Sequence, residues 1–128
     1  MTVASSDDKT SRLRQALANL RDEIAEVLDL FMGRGPLVRG SVYELRRKCG
    51  KPNCVCAAGK ELHACMAITW TEAGRKRLRS ITLKEEMDLT RLTEDYRRYR
   101  RARDRLVALH AKLLGIVDQL EAARCRKP

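Results

Sequence analysis

CGKPNCVCAAGKELHAC, residues 49–65, gathers four of the chain's five cysteines and one of its two histidines. The spacing is Cys49-x4-Cys54-x-Cys56-x6-His63-x-Cys65. Zinc (Zn2+) takes four tetrahedral thiolate or imidazole ligands at about 2.0–2.3 Å. Gly50, Pro52 and Gly59 supply turns that let one loop wrap an ion. Five candidate ligands compete for four positions: Cys49, Cys54, Cys56 and His63 form the favoured set, with Cys65 as the substitute for the histidine. An iron–sulfur cluster on the four cysteines is the second choice. A redox switch lacks Cys-x-x-Cys, and catalytic zinc would need an open position and a base. The odd cysteine count argues against a closed disulfide scheme, and clustered thiols in a reducing compartment are ligands more often than disulfides.

Working toward the N-terminus, residues 1–9 read as a disordered leader. From Thr10 to Met32 the apolar residues fall at Leu13, Leu17, Leu20, Ile24, Val27 and Phe31, the spacing of a coiled-coil seam. Gly33, Gly35 and Pro36 end that helix. Around the cysteines the period shortens. GSVYELRRK reads as a strand, and MAITW (66–70) and RKRLRSI (75–81) as a hairpin around the turn Thr71–Gly74. A small head of this kind, with almost no core of its own, is stabilised by its ion.

Thr82, Leu83, Lys84 and Glu85 spell a capping box. The helix it opens runs to about Arg124 with a stripe through Leu92, Tyr96, Tyr99, Ala102, Leu106, Leu109, Leu113, Ile116 and Leu120. One three-residue step in that stripe replaces a four, as in a stammer, and Gly115 is a weak point of about 1 kcal/mol. The expected fold class is mainly α with a small β-hairpin zinc head: an antiparallel coiled-coil stalk of an N-terminal and a long C-terminal helix flanking the cysteine-rich insert. The segments are 1–9, 10–38, 39–82 and 83–128. At about 1.5 Å per residue the helices span about 35 and 60 Å. The uncovered remainder of the longer seam, at Leu106, Leu109, Leu113, Ile116 and Leu120, calls for a partner, a homodimer first.

The formal net charge is +10. Residues 1–38 carry five basic and six acidic side chains, residues 39–84 eleven and three, and residues 85–128 eleven and eight. The central third therefore expects a polyanion, DNA before a membrane. One basic cluster is Arg75, Lys76, Arg77 and Arg79, joined by Arg46, Arg47, Lys48 and Lys51. The other is RRYRRARDR (97–105), with Arg97, Arg98, Arg101 and Arg105 as candidate phosphate ligands. A solvated, salt-bridged surface is the competing reading, with Glu94, Asp95 and Asp104 as counterions. No phosphate loop, nucleophile elbow or recombinase tyrosine constellation is present, so no enzyme is expected. The polar start MTVASSDDKT and the absence of a long apolar run point to the cytoplasm, and to the nucleoid when bound.

GSVYELRRKCGKPNCVCAAGKELHACMAITWTEAGRKRLRSI resembles a family of small bacterial, mobile-element-associated proteins marked by G-S-[VL], then C-G-K-x-x-C-x-C-A-x-G and a histidine. It is similar to the accessory third protein of transposons moved by tyrosine recombinases. The match covers some forty residues and is specific at Gly40, Ser41, Cys49, Gly50, Lys51, Cys54, Cys56, Ala57, Gly59 and His63. After the histidine the family continues with Gly-Pro and tyrosines, where this chain has Ala64, Cys65, Met66 and Ala67, so His63 and Cys65 both stay open as the closing ligand. The resemblance implies a DNA-binding accessory factor that assists a recombinase or transposase. An interaction adaptor and a transcriptional regulator are the alternatives.

Overall fold

The computed structural model describes residues 2–47, 53 and 62–128, with side chains from residue 7 onward. Two helices and a three-stranded antiparallel sheet follow one another as α1 (Thr2–Phe31), β1 (Ser41–Arg47), β2 (His63–Glu72), β3 (Arg75–Ser80) and α2 (Leu83–Arg124). The chain divides into two compact units, residues 1–34 with 99–128, and residues 35–98.

In the first unit α1 and the later part of α2 form an antiparallel pair. Phe31 meets Tyr99 edge-on at 4.9 Å, Glu23 meets Arg105 at 3.8 Å, and Lys112 borders Ala16 and Asn19. Partners therefore climb one helix as they descend the other. Leu20, Val27, Ala102, Leu109 and Ile116 are buried between them. Leu106, Leu113 and Leu120 pack half-buried against that stripe. The five residues read as a partner seam are thus covered by α1 of the same chain. The rest of α2, residues 83–98, belongs to the other unit. Helix α1 also begins at Thr2, inside the segment read as a disordered leader. An ion pair between Asp8 and Arg12, one turn apart, supports that early start. Its end follows the reading: Met32 N–H closes a tight last turn onto Asp29 C=O at 3.2 Å, and Gly33, Gly35 and Pro36 come next.

In the second unit the expected hairpin is two strands of a three-stranded sheet in the order β1-β2-β3. Strand β2 starts at His63 rather than Met66 because β1 pairs with it along its whole length, from Ser41 opposite Thr69 to Arg47 opposite His63. The β2–β3 turn is two residues, Ala73 (φ 51°) and Gly74 (φ 77°), not four. Two positive φ values suit the right-handed twist of the flanking strands. Ala67 and Ile68 are buried in the sheet and Thr93 in α2, where its hydroxyl donates to Thr90 C=O at 3.0 Å. Val38 N–H donates to Leu92 C=O at 3.3 Å, fastening the stretch before β1 to the helix.

The capping box forms as read. Glu85 N–H donates to Thr82 Oγ1 at 3.3 Å, and Thr82 N–H donates to Glu85 Oε1 at 3.2 Å. Gly40 is required by crowding, since a Cβ there would lie 2.9 Å from the main-chain oxygen of Thr69 and 3.4 Å from Ile68. Gly115 has open space around it. Gly40→Ala is therefore expected to destabilise the protein by about 1–3 kcal/mol, and Gly115→Ala to stabilise it by about 0.5–1 kcal/mol. Urea unfolding followed by circular dichroism distinguishes the two signs.

Candidate nucleic-acid interface

Strand β3 reads Arg75-Lys76-Arg77-Leu78-Arg79-Ser80, and every one of its residues is exposed. Among the described residues it is an edge strand, paired only with β2. Antiparallel partners share a face, so Arg75, Arg77 and Arg79 stand on one side with their partners Glu72, Trp70 and Ile68, while Lys76 stands on the other with Thr71. Arg77 lies 3.8 Å from Glu72, with both side chains more than half exposed. Arg79 is held differently. It binds Glu85 at 3.0 Å, and that carboxylate also caps α2. Arg79 thus ties the hairpin to the helix. Arg75 and Lys76 form no ion pair among the described residues.

Of the neighbours read as part of this cluster, Arg46 pairs with Glu44 on its own strand at 3.2 Å, and Arg47 stands opposite His63 at the end of the sheet. Lys48 and Lys51 lie outside the described residues.

The arginines of α2 divide by partner. Arg98 lies 4.0 Å from Asp95, Arg91 2.6 Å from Asp88, and Arg105 3.8 Å from Glu23. Arg97 reaches the Ser41 hydroxyl at 3.4 Å. Arg101 is exposed without a carboxylate partner among the described residues, as are Arg100 and Arg103, which were read as part of the run but not as site residues. Sequence alone does not separate them, because which arginine meets an acid depends on the helix partner as well as on spacing.

Cys49, Cys54 and Cys56 lie outside the described residues. His63 and Cys65 lie within them, two apart on β2 and therefore on one face, His63 exposed and Cys65 half-buried. The connection bearing the other three cysteines leaves at Arg47 and returns at His63, which are paired neighbours. This donor set, with its ends held together, fits a tetrahedral thiolate–imidazole centre. Among the described residues alone, no group of three or more candidate ligands assembles.

Residues 10–90 match the family described as a domain of unknown function (DUF6788), and the chain belongs to that family. The match takes in most of α1, the three strands and the first turns of α2, and stops before the arginine run at 97–105. No curated protein and no solved structure matches the chain. Among the described residues, no helix is long and apolar enough to cross a membrane.

The Glu85 carboxyl titrates below its ordinary value of 4.5, first because Arg79 donates a side-chain hydrogen bond to it and next because Thr82 N–H donates another. Folding therefore favours the charged form. Its contribution is in place above the ordinary value and is lost as pH falls through the depressed folded one. In Arg79→Ala the Glu85 titration, followed by carboxyl NMR, is expected to move up toward the ordinary glutamate range. An unmoved midpoint would show that Arg79 is not what depresses it.

Proposed function

We propose that this chain is a small DNA-binding accessory protein that lays its basic β2–β3 hairpin along the phosphate backbone of a duplex. One observation carries the reading: an exposed edge strand with four basic side chains in six residues, in a hairpin whose only carboxylate is Glu72. The Glu72–Arg77 pair is long and solvated, worth about 0–1 kcal/mol. Phosphate oxygens compete with it readily, because guanidinium binds them in a bidentate fork. In the other unit the unpartnered Arg100 and Arg101 of α2 are a separate pair of cations available to a polyanion. The helix pair is read as a short antiparallel coiled coil that supports partner contact.

A structural zinc ion belongs to the same reading. Cys49, Cys54 and Cys56 with His63 or Cys65 would hold it, and bound there it supplies cross-linking of a connection that has little apolar material of its own. The resemblance to accessory proteins of recombinase-mobilised elements adds the partner, a recombinase or transposase acting on the same DNA. The role is one of binding, with no chemical step assigned to the chain.

Fluorescence anisotropy with a random duplex tests the first part. Four or five phosphate contacts give a slope of log K on log salt of about −4, so affinity should fall roughly 200-fold between 50 and 200 mM salt. Arg75→Ala with Lys76→Ala should reduce that slope by about 1–2. Binding that is absent, or indifferent to salt, would favour the protein-interaction adaptor instead. For the metal, the purified chain is expected to carry one equivalent of zinc by elemental analysis. Cys54→Ser should lose it and change Trp70 fluorescence while helical circular dichroism persists. Unchanged metal content in that variant would reject the ligand set.

A further inference from the structure

The helix pair of the first unit has two unlike flanks. Successive residues turn by about 100° around a helix. On one side of the buried stripe lie Glu23 and Asn19 of α1 beside Arg105 and Lys112 of α2, a polar flank closed by the Glu23–Arg105 pair. The other flank is apolar. An open groove of about 560 Å³ runs there between Leu17, Ile24, Leu28 and Leu113. Farther round α2 from Leu113 stand Val107, Leu114 and Val117, exposed by 58, 50 and 44%. A second groove of about 440 Å³ continues the flank between Val117, Leu120 and Glu121.

We infer that this flank is the docking face for a second copy of the chain, forming a four-helix bundle whose two-fold axis runs along the helices. Charge selects that occupant. The observed contacts set the level of each α1 residue against α2: 31 with 99, 23 with 105, and 16 and 19 with 112. Asp29 and Arg103 lie toward the outer edges of the flank within about one turn of the same level. Neither of these exposed side chains takes part in an ion pair among the described residues. An axis parallel to the helices sets α1 of one copy against α2 of the other. Asp29 then faces Arg103 of the second copy, and the symmetry makes the pair twice. Arg14 and Arg21 also line the groove, beside Ala18 and Ala25.

The area agrees. From Leu13 to Phe31 the flank is about 28 Å long and about two helix diameters wide, so a pair of copies removes about 1,200 Å² from water, the lower end of specific interfaces. This face is distinct from the stripe through Leu106, Leu109 and Ile116, which α1 already occupies. It stands independently of the nucleic-acid reading.

Sedimentation equilibrium of the full chain at about 100 μM, near neutral pH, is expected to give twice the chain mass of 14.6 kDa. Leu114→Lys and, separately, Val107→Lys should each give the single-chain mass with unchanged helical circular dichroism, since both positions are half exposed in the chain itself. Asp29→Arg and Arg103→Asp should each weaken dimerisation by roughly tenfold, and the double variant should restore it. Wild-type protein at the single-chain mass would overturn the proposal, as would Lys variants that stay dimeric. A double variant weaker than either single one would overturn the proposed axis.

Discussion

The pairing of Leu45 with Cys65 and of Arg47 with His63 is the constraint on which the sheet unit depends. It closes the 15-residue connection between β1 and β2, and loop closure grows costly only slowly with length. What matters more is register. Side chains alternate along a strand, so a slip of one residue would turn His63 and Cys65 to the opposite face together. Two small residues prevent that slip. Ala67 is fully buried opposite Tyr43, and Gly40 sits where any side chain would strike the main chain of Thr69. The glycine of the Gly40-Ser41 motif and the histidine at its far end thus belong to one device.

Charge is distributed by the same logic. Residues 35–98 carry fourteen basic and eight acidic side chains, yet the acids are concentrated in α2. Glu85 and Glu86 occupy its first turn, where they complement the positive end of the helix dipole. Asp88 and Asp95 answer Arg91 and Arg98 on the helix itself. The hairpin keeps only Glu72. The one helix acid that reaches it, Glu85, joins Arg79 to the cap at Thr82, so the neutralisation there is part of the connection between sheet and helix. The basic strand keeps its excess because the carboxylates have structural work elsewhere.

Much of this was legible in the sequence because the signals are local. The heptad spacing from Leu13 to Phe31, the glycines and proline after it, and the Thr82–Glu85 box each encode structure within a few residues, and each appears where it was read. Strand β1 was readable only as a strand, since GSVYELRRK carries no sign of which strand it joins across the cysteine connection. The tight turn was read too long because Ala73 gives no hint of a positive φ, although Gly74 beside it does. Apolar spacing shows that the stripe through Leu106 and Leu113 needs covering and is silent on α1 of the same chain packing against it. Arg100, Arg101 and Arg103 differ from Arg98 and Arg105 in their carboxylate neighbours, and Glu23, one of those neighbours, is some eighty residues away in sequence.

The irregular step in the long helix coincides with a boundary in the fold. Between Tyr96, Tyr99 and Ala102 two three-residue steps follow each other, which in an unbroken coiled coil would mean local overwinding. The structure places the boundary between its two compact units at Arg98 and Tyr99. Before it, the buried or half-buried positions include Leu89, Leu92, Thr93 and Tyr96; after it, they include Ala102, Leu106, Leu109, Leu113, Ile116 and Leu120 in regular fours and threes. The missing residue in the pattern falls where α2 passes from one compact unit to the other. A single continuous seam over all 42 residues would have demanded a partner of equal length. Two shorter ones do not, and α1 covers the second.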